Sequence, residues 1–191
     1  MNNMDQCIEF LHSLEQLGLS KEVWNTWSVR LQPPGTFDFD ESVLAQALGS
    51  GNPALGAAAL MFRAEFAREK GQDHEILGFL FKAVEALPEN SATLDALVEN
   101  LELFHRPADA LPFAERHAQV DSNPTVRWRL GSMKYLSGDK TGAIELWKSL
   151  PFYQREDGQD VLKLYIEGCE RRLTQYAEYK ASRASQPRRA E

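Results

Sequence analysis

The sequence predicts an all-α protein in which helical hairpins stack in line, flanked by N-terminal helices and closed by one long C-terminal helix. Three observations carry this. Apolar residues recur at intervals of three and four along most of the 191 residues, the spacing of one helix face, with almost none of the sustained alternation of a half-buried strand. The pairs Asn52-Pro53 and Asn123-Pro124 mark helix starts, because Asn accepts from free helix amides and Pro tolerates the first-turn position whose amide has no partner. Turn signals then fall at nearly constant spacing through the middle of the chain.

The elements follow in order. Asp5 to Leu17 sets Cys7, Ile8, Phe10, Leu11, Leu14 and Leu17 along one side and stops at Gly18. Lys21 to Leu31 follows Ser20 as a cap and ends before Pro33-Pro34-Gly35, since two prolines cannot continue it. Gly35 to Phe39 reads as a loop, and a short helix from Asp40 to Leu48 ends at Gly49-Ser50-Gly51. Three hairpins come next: Pro53 to Lys70 with His74 to Leu87, Ala92 to Phe104 (capped by Ser91) with Ala108 to Val120, and Pro124 to Leu136 with Thr141 to Leu150. The last helix runs from Gly158 to about Ser182, with Leu162, Tyr165, Ile166, Cys169, Leu173 and Tyr176 in one stripe and Asp157 with Asp160 at its start.

Composition sets the class. With 43% hydrophobic residues, 21 Lys plus Arg against 28 Asp plus Glu, and 2 Cys, the chain is an ordinary globular protein. Its length buries roughly 70% of the unfolded surface, so no disulfide or metal is needed to hold a core. One domain is expected over 1–183 (N-terminal helices 1–51, hairpins 52–151, final helix 152–183), with 184–191 as a disordered tail. Met1 to Asp5 carries no positive leader, and the longest apolar run, Pro53 to Phe62, falls far short of the roughly 20 residues that cross a bilayer. Cys7 and Cys169 form no paired spacing, which fits a reducing compartment. The expected location is the cytoplasm.

Charge is uneven: 8 basic and 18 acidic residues lie up to Val120, 13 basic and 10 acidic beyond it. The acidic body repels nucleic-acid phosphates, whose affinity comes largely from Lys and Arg. The tail residues Arg171, Arg172, Lys180, Arg183, Arg188 and Arg189 read as a solvated basic segment, with contact to RNA or an acidic protein as the alternative.

Laying the hairpins over each other gives a period close to 34 residues, the length of one stacking unit of antiparallel helices. Turn positions align as Gly71, His105 and Gly138; second-helix positions align as Ile76, Ala110 and Ala143, then Leu80, Ala114 and Trp147. Small Gly131, Ala83, Ala110, Ala114 and Ala143 let paired helices approach, while Trp147 and Tyr135 fill the space between units. In the third hairpin Leu130-Gly131, Tyr135, Gly138-Asp139, Ala143 and Trp147 come close to the pattern of Leu-Gly, Tyr, Ala and a later aromatic. The chain therefore resembles the tetratricopeptide repeat family, with three repeats at about 57–151. Trp128 and Tyr135 each lie one residue late for the family's aromatics, and His105 replaces a turn glycine, a residue less unwilling than most to take positive φ.

That resemblance implies an α-solenoid whose first helices line a concave groove for a peptide or partner protein. Carried onto this chain, the groove positions are Met61, Glu65 and Arg68, then Asp95, Glu99 and Glu102, then Trp128, Ser132 and Tyr135. The Lys and Asn residues with which some relatives clamp a terminal carboxylate are absent. An acidic band beside an aromatic end favours a ligand with Lys or Arg followed by an apolar side chain.

Signs of chemistry are weak. His12, His74, His105 and His117 lie on separate helices or turns, without the spacing that puts metal ligands on one face. Gly49-Ser50-Gly51 follows a helix, with no Gly-Lys-Ser or Gly-Lys-Thr triplet to cradle a phosphate. Glu65, Glu69, Asp73 and Glu75 read as a solvated face rather than an acid–base pair. Cys7 and Cys169 sit on apolar stripes, where a thiol is inert. The expectation is a non-catalytic interaction module without cofactor or metal, with a chaperone-like variant that holds an unfolded client. The competing expectation is an accessory or regulatory subunit of an enzyme, with Tyr165, Cys169, Leu173 and Tyr176 as a homodimer seam.

Overall fold

The computed structural model describes residues 3–30 and 41–185, and among them every regular element is helical. The helices are α1 (Asn3–Leu17), α2 (Lys21–Arg30), α3 (Glu41–Gly49), α4 (Pro53–Glu69), α5 (Asp73–Ala86), α6 (Ser91–Leu103), α7 (Pro107–Val120), α8 (Pro124–Leu136), α9 (Lys140–Lys148) and α10 (Gly158–Ser185), with a short 3-10 turn at Pro151–Gln154. The expected loop Gly35 to Phe39, the ends at Leu31 and Asp40, and the tail from Gln186 onward lie outside the described residues; Ala184 and Ser185 belong to α10. No helix among the described residues is long and apolar enough to cross a membrane.

Local chemistry fixes the helix ends. Asn52 Oδ1 accepts from the amides of Ala54 at 2.9 Å and Leu55 at 3.5 Å, and Asn123 Oδ1 from that of Thr125 at 2.9 Å. The α6 cap is Asn90, one residue before the expected Ser91: its Oδ1 accepts from Ala92 and Thr93 at 3.0 and 3.2 Å. Asp139 caps α9 through Gly142 N–H at 2.9 Å. That helix stops at Lys148 instead of Leu150, because Pro151 cannot extend it and opens the 3-10 turn instead. At the start of α10, Asp157 pairs with Arg155 at 3.4 Å.

All three aligned turn positions adopt left-handed backbone: φ is 68° at Gly71, 59° at His105 and 104° at Gly138. Behind the two glycines the last turn closes alike. Gly71 N–H donates to Arg68 C=O and Gln72 N–H to Ala67 C=O, as Gly138 N–H does to Tyr135 C=O and Asp139 N–H to Lys134 C=O, satisfying carbonyls that a helix end leaves free. His105 N–H donates to Glu102 C=O at 3.0 Å.

Packing divides the chain into two compact units, residues 1–101 and 102–191. In the first, α4 is buried nearly all round, at Leu55, Ala57, Ala58, Ala59, Met61, Phe62, Ala64 and Ala67. Its alanines admit α3, α5 and α1 at close range. Phe10 of α1 meets Phe62 edge-on at 5.3 Å, and Trp24 of α2 lies 4.7 Å from the same ring. Leu17, expected on the buried stripe of α1, is 70% exposed, because it sits on the last residue before the chain turns at Gly18.

In the second unit α8 is the core helix, contacting α7, α9 and α10 and burying Val126, Leu130, Gly131, Ser132, Met133, Tyr135 and Leu136. A Cβ on Gly131 would lie 2.3 Å from Trp147 Nε1, so glycine lets the indole lie directly on the α8 backbone. Trp147 is wholly buried, donates Nε1–H to Trp128 C=O at 3.1 Å and stacks on Tyr135 at 5.9 Å. The aligned second-helix residues Ile76, Leu80, Ala110, Ala114, Ala143 and Trp147 are each at most 2% exposed.

Candidate functional site

In the first unit, the expected groove residues divide into a core residue, a salt-bridged pair and an exposed edge. Met61 is 1% exposed and packs in the core, out of reach of a ligand. Asp95 is held by Lys21 of α2 at 2.7 Å, so it is a structural anchor. Glu65 is half-buried and bonded to Arg68, whose Nη2 also donates to Asn100 Oδ1 at 2.7 Å. Burial pushes the Glu65 carboxyl above its ordinary range, opposed by Arg68 and reinforced by the negative charges of Glu99 and Glu69. Arg68, Glu69 and Glu99 are exposed. The reachable part is therefore an acidic edge on α4 and α6 with one arginine set in it.

The second unit treats its expected groove residues differently. Ser132 and Tyr135 are buried at 1% and 4% exposure, and α10 lies across them. Trp128 meets Tyr165 of α10 with ring centres 5.3 Å apart; the same Tyr165 packs on Trp147 and on Phe152. Ser132 Oγ donates to the Trp128 carbonyl at 3.4 Å, and Cys169 of α10 is buried. Tyr135 Oη donates to Glu170 at 2.6 Å, and Lys140 donates to the same carboxylate at 2.7 Å. Glu102 pairs with Arg172, and its carbonyl accepts from Tyr176 Oη at 3.4 Å. Beyond that, the His105 ring lies 4.6 Å from Tyr176 and 4.7 Å from Tyr179. Trp128, Ser132, Tyr135 and Glu102 thus form a helix-binding face that α10 occupies.

These contacts set the electrostatics. The Lys140 ammonium, and after it the Tyr135 hydroxyl, hold Glu170 below the usual carboxylate range; Lys140 is raised in turn by the same bond. Tyr135 is pushed up by burial first and by its bond to Glu170 second. Burial also raises the Cys169 thiol, which keeps it protonated and poorly nucleophilic. On the stripe Tyr165, Cys169, Leu173 and Tyr176, Tyr165 and Tyr176 pack on rings of their own chain, and Cys169 and Tyr176 are buried.

Among the described residues no group of three or more His, Cys, Asp or Glu is placed to hold a metal. His117 is 1% exposed within α7, with Nε2 3.9 Å from the Asp121 carboxylate. An open depression of about 410 Å³ lies beside Leu87, Pro88, Glu89 and Asn90.

The chain matches no family model, no curated protein and no solved structure.

Sequence reasoning passes over Asn100 and Glu170, takes Lys21 only as a helix start, and reads Arg172 as part of a solvated basic segment, whereas it pairs with Glu102. Asn100 leaves a signal: it is a polar residue inside the apolar run Leu97, Val98 and Leu101, and it is 4% exposed. Arg172 leaves one too, lying on the stripe seven residues after Tyr165.

Proposed function

We propose that this protein is a non-catalytic interaction module of the tetratricopeptide kind, built from three helical hairpins, that captures a basic, partly apolar segment of a partner protein. The observation that carries the reading is the left-handed backbone at Gly71, His105 and Gly138, positions set about 34 residues apart. The matching burial of Ile76, Ala110 and Ala143 supports the same register, since each hairpin in such a stack presents equivalent positions to its neighbours.

The capture surface on this reading is the exposed acidic edge of the first unit, Glu69 and Glu99 with half-buried Glu65. Opposite charge steers a Lys- or Arg-bearing segment to it. Selection from a random peptide library tests the proposal. Enriched peptides should carry Lys or Arg beside an apolar residue, and Glu69→Lys with Glu99→Lys should cut their binding at least tenfold while helix content stays unchanged. Enrichment without basic residues, or binding indifferent to the charge reversal, refutes it.

A further inference from the structure

The aromatic end of the expected groove is filled, and the way it is filled describes what fits it. Three positions of α10 make side-chain-specific contacts, Tyr165 with Trp128, Arg172 with Glu102, and Tyr176 with His105 and the Glu102 carbonyl, and Cys169 is buried on the same stripe. We propose that this face of the second unit is a docking groove in which α10 is an exchangeable occupant, and that its external partner is an amphipathic helix repeating the spacing of Tyr165, Cys169, Arg172 and Tyr176. The inference rests on the interaction-module reading and names a partner class for the second unit.

Three features make α10 exchangeable. Its distal half is held at the surface: the Lys140–Glu170 pair is about half exposed, with side-chain exposures of 51% and 48%, and Arg172 is 36% exposed. Pairs of that kind contribute little, because water screens them and long side chains must be ordered. Residues 177–182 after the last buried contact are exposed. The segment joining α10 to the 3-10 turn is exposed as well, with Arg155 and Asp157 side chains at 71% and 53%.

The seat itself favours a better ligand. Trp128 Nε1 and His105 Nδ1 are buried, and among the described residues neither has a hydrogen-bond partner. An occupant that buries a polar atom without pairing it loses binding that one offering the complementary group keeps. Glu102, partly covered, requires a cation opposite it, as a carboxylate taken from water must be paired. A helix with arginine at the Arg172 position meets that need; an acidic or wholly apolar helix does not.

The test uses the full chain and a fluorescent peptide of residues 158–185, read by anisotropy. Arg172→Glu in the chain releases the resident helix while leaving the groove intact. It should bind the peptide at least tenfold more tightly than the unaltered chain. Glu102→Arg should abolish that binding, and a peptide carrying Arg172→Glu should restore it on the Glu102→Arg chain. Should Arg172→Glu lower helix content, Tyr176→Ala, which removes the buried contacts with His105 and the Glu102 carbonyl from the resident helix alone, serves the same comparison. A folded variant with no gain in affinity overturns the proposal. So does a doubling of sedimenting mass without such a gain, which assigns the exchange to a second copy of this chain. The library selection on the first unit's acidic edge reads the interaction-module proposal separately, so either result can fail while the other stands.

Discussion

Gly131→Ala tests the packing of the second unit at its tightest point. The new Cβ would stand 2.3 Å from Trp147 Nε1 and 2.8 Å from Cδ1 and Cε2. These are atoms of a rigid, wholly buried ring, so the indole must move as a body. Overpacking of this sort costs about 1–3 kcal/mol. The displacement also strains the Nε1–H bond to Trp128 C=O, and leaving such a donor unpaired costs about 1–3 kcal/mol. Against this, replacing a mid-helix glycine by alanine gains about 1 kcal/mol. The net is a destabilisation of about 2–3 kcal/mol, or about 5–10 °C in Tm for a chain of this length. Gly78→Ala is the control: Gly78 lies in α5 with nothing within 4 Å of its new Cβ, and the same exchange should stabilise by about 0.4–1 kcal/mol. Urea titration followed by circular dichroism measures both. Equal signs for the two variants would refute the close approach of α8 and Trp147.

Three further perturbations probe the turns, the caps and the α10 contacts. At His105, with φ of 59°, both Gly and Ala remove the ring contacts with Tyr176 and Tyr179, but only Gly also removes the left-handed backbone cost of about 1–2 kcal/mol. His105→Gly should therefore be more stable than His105→Ala by about 1 kcal/mol in urea unfolding, and the reverse order would contradict the turn assignment. Asn90→Ala should cost about 1–2 kcal/mol, since Asn90 caps α6 and also donates to the Leu19 carbonyl; a thermal melt indistinguishable from that of the unaltered chain counts against it. Glu170 has its folded pKa depressed by Lys140 and Tyr135, so its contribution is present above the usual carboxylate range and disappears as pH falls through the folded value. Glu170→Gln should lower Tm at neutral pH, and the gap should close below about pH 4. A gap that widens in acid would reverse the assigned sign.

How much of this was legible in the chain depends on the distance over which each contact acts. Helix identity and most helix ends are encoded within four or five residues: an apolar period, Asn52-Pro53 and Asn123-Pro124 as starts, Gly71 and Gly138 as stops. Even the miss at Asn90 is a shift of one residue between two capable caps. His105 was readable as a turn residue because only a few side chains tolerate that backbone, and Gly131 as a close-approach residue because paired helices need a small side chain where they meet; Trp147, expected between units, instead lies on the α8 backbone of its own hairpin.

The sequence by itself determined the all-helical fold, the order of its elements and the small residue, Gly131, at the approach of α8 and α9. Only the tertiary structure decided what the groove positions do. Asp95 and Glu99 are alike as residues, yet one is tied to Lys21, 74 positions earlier, and the other is free to face water. Trp128, Ser132, Tyr135 and Glu102 present the same pattern whether open or covered, and α10 covers them through residues 35 to 74 positions away. Hydrogen bonds of one helical turn are written locally, whereas the pairing of a surface charge depends on where a distant helix comes to rest, and no spacing within the chain carries that information.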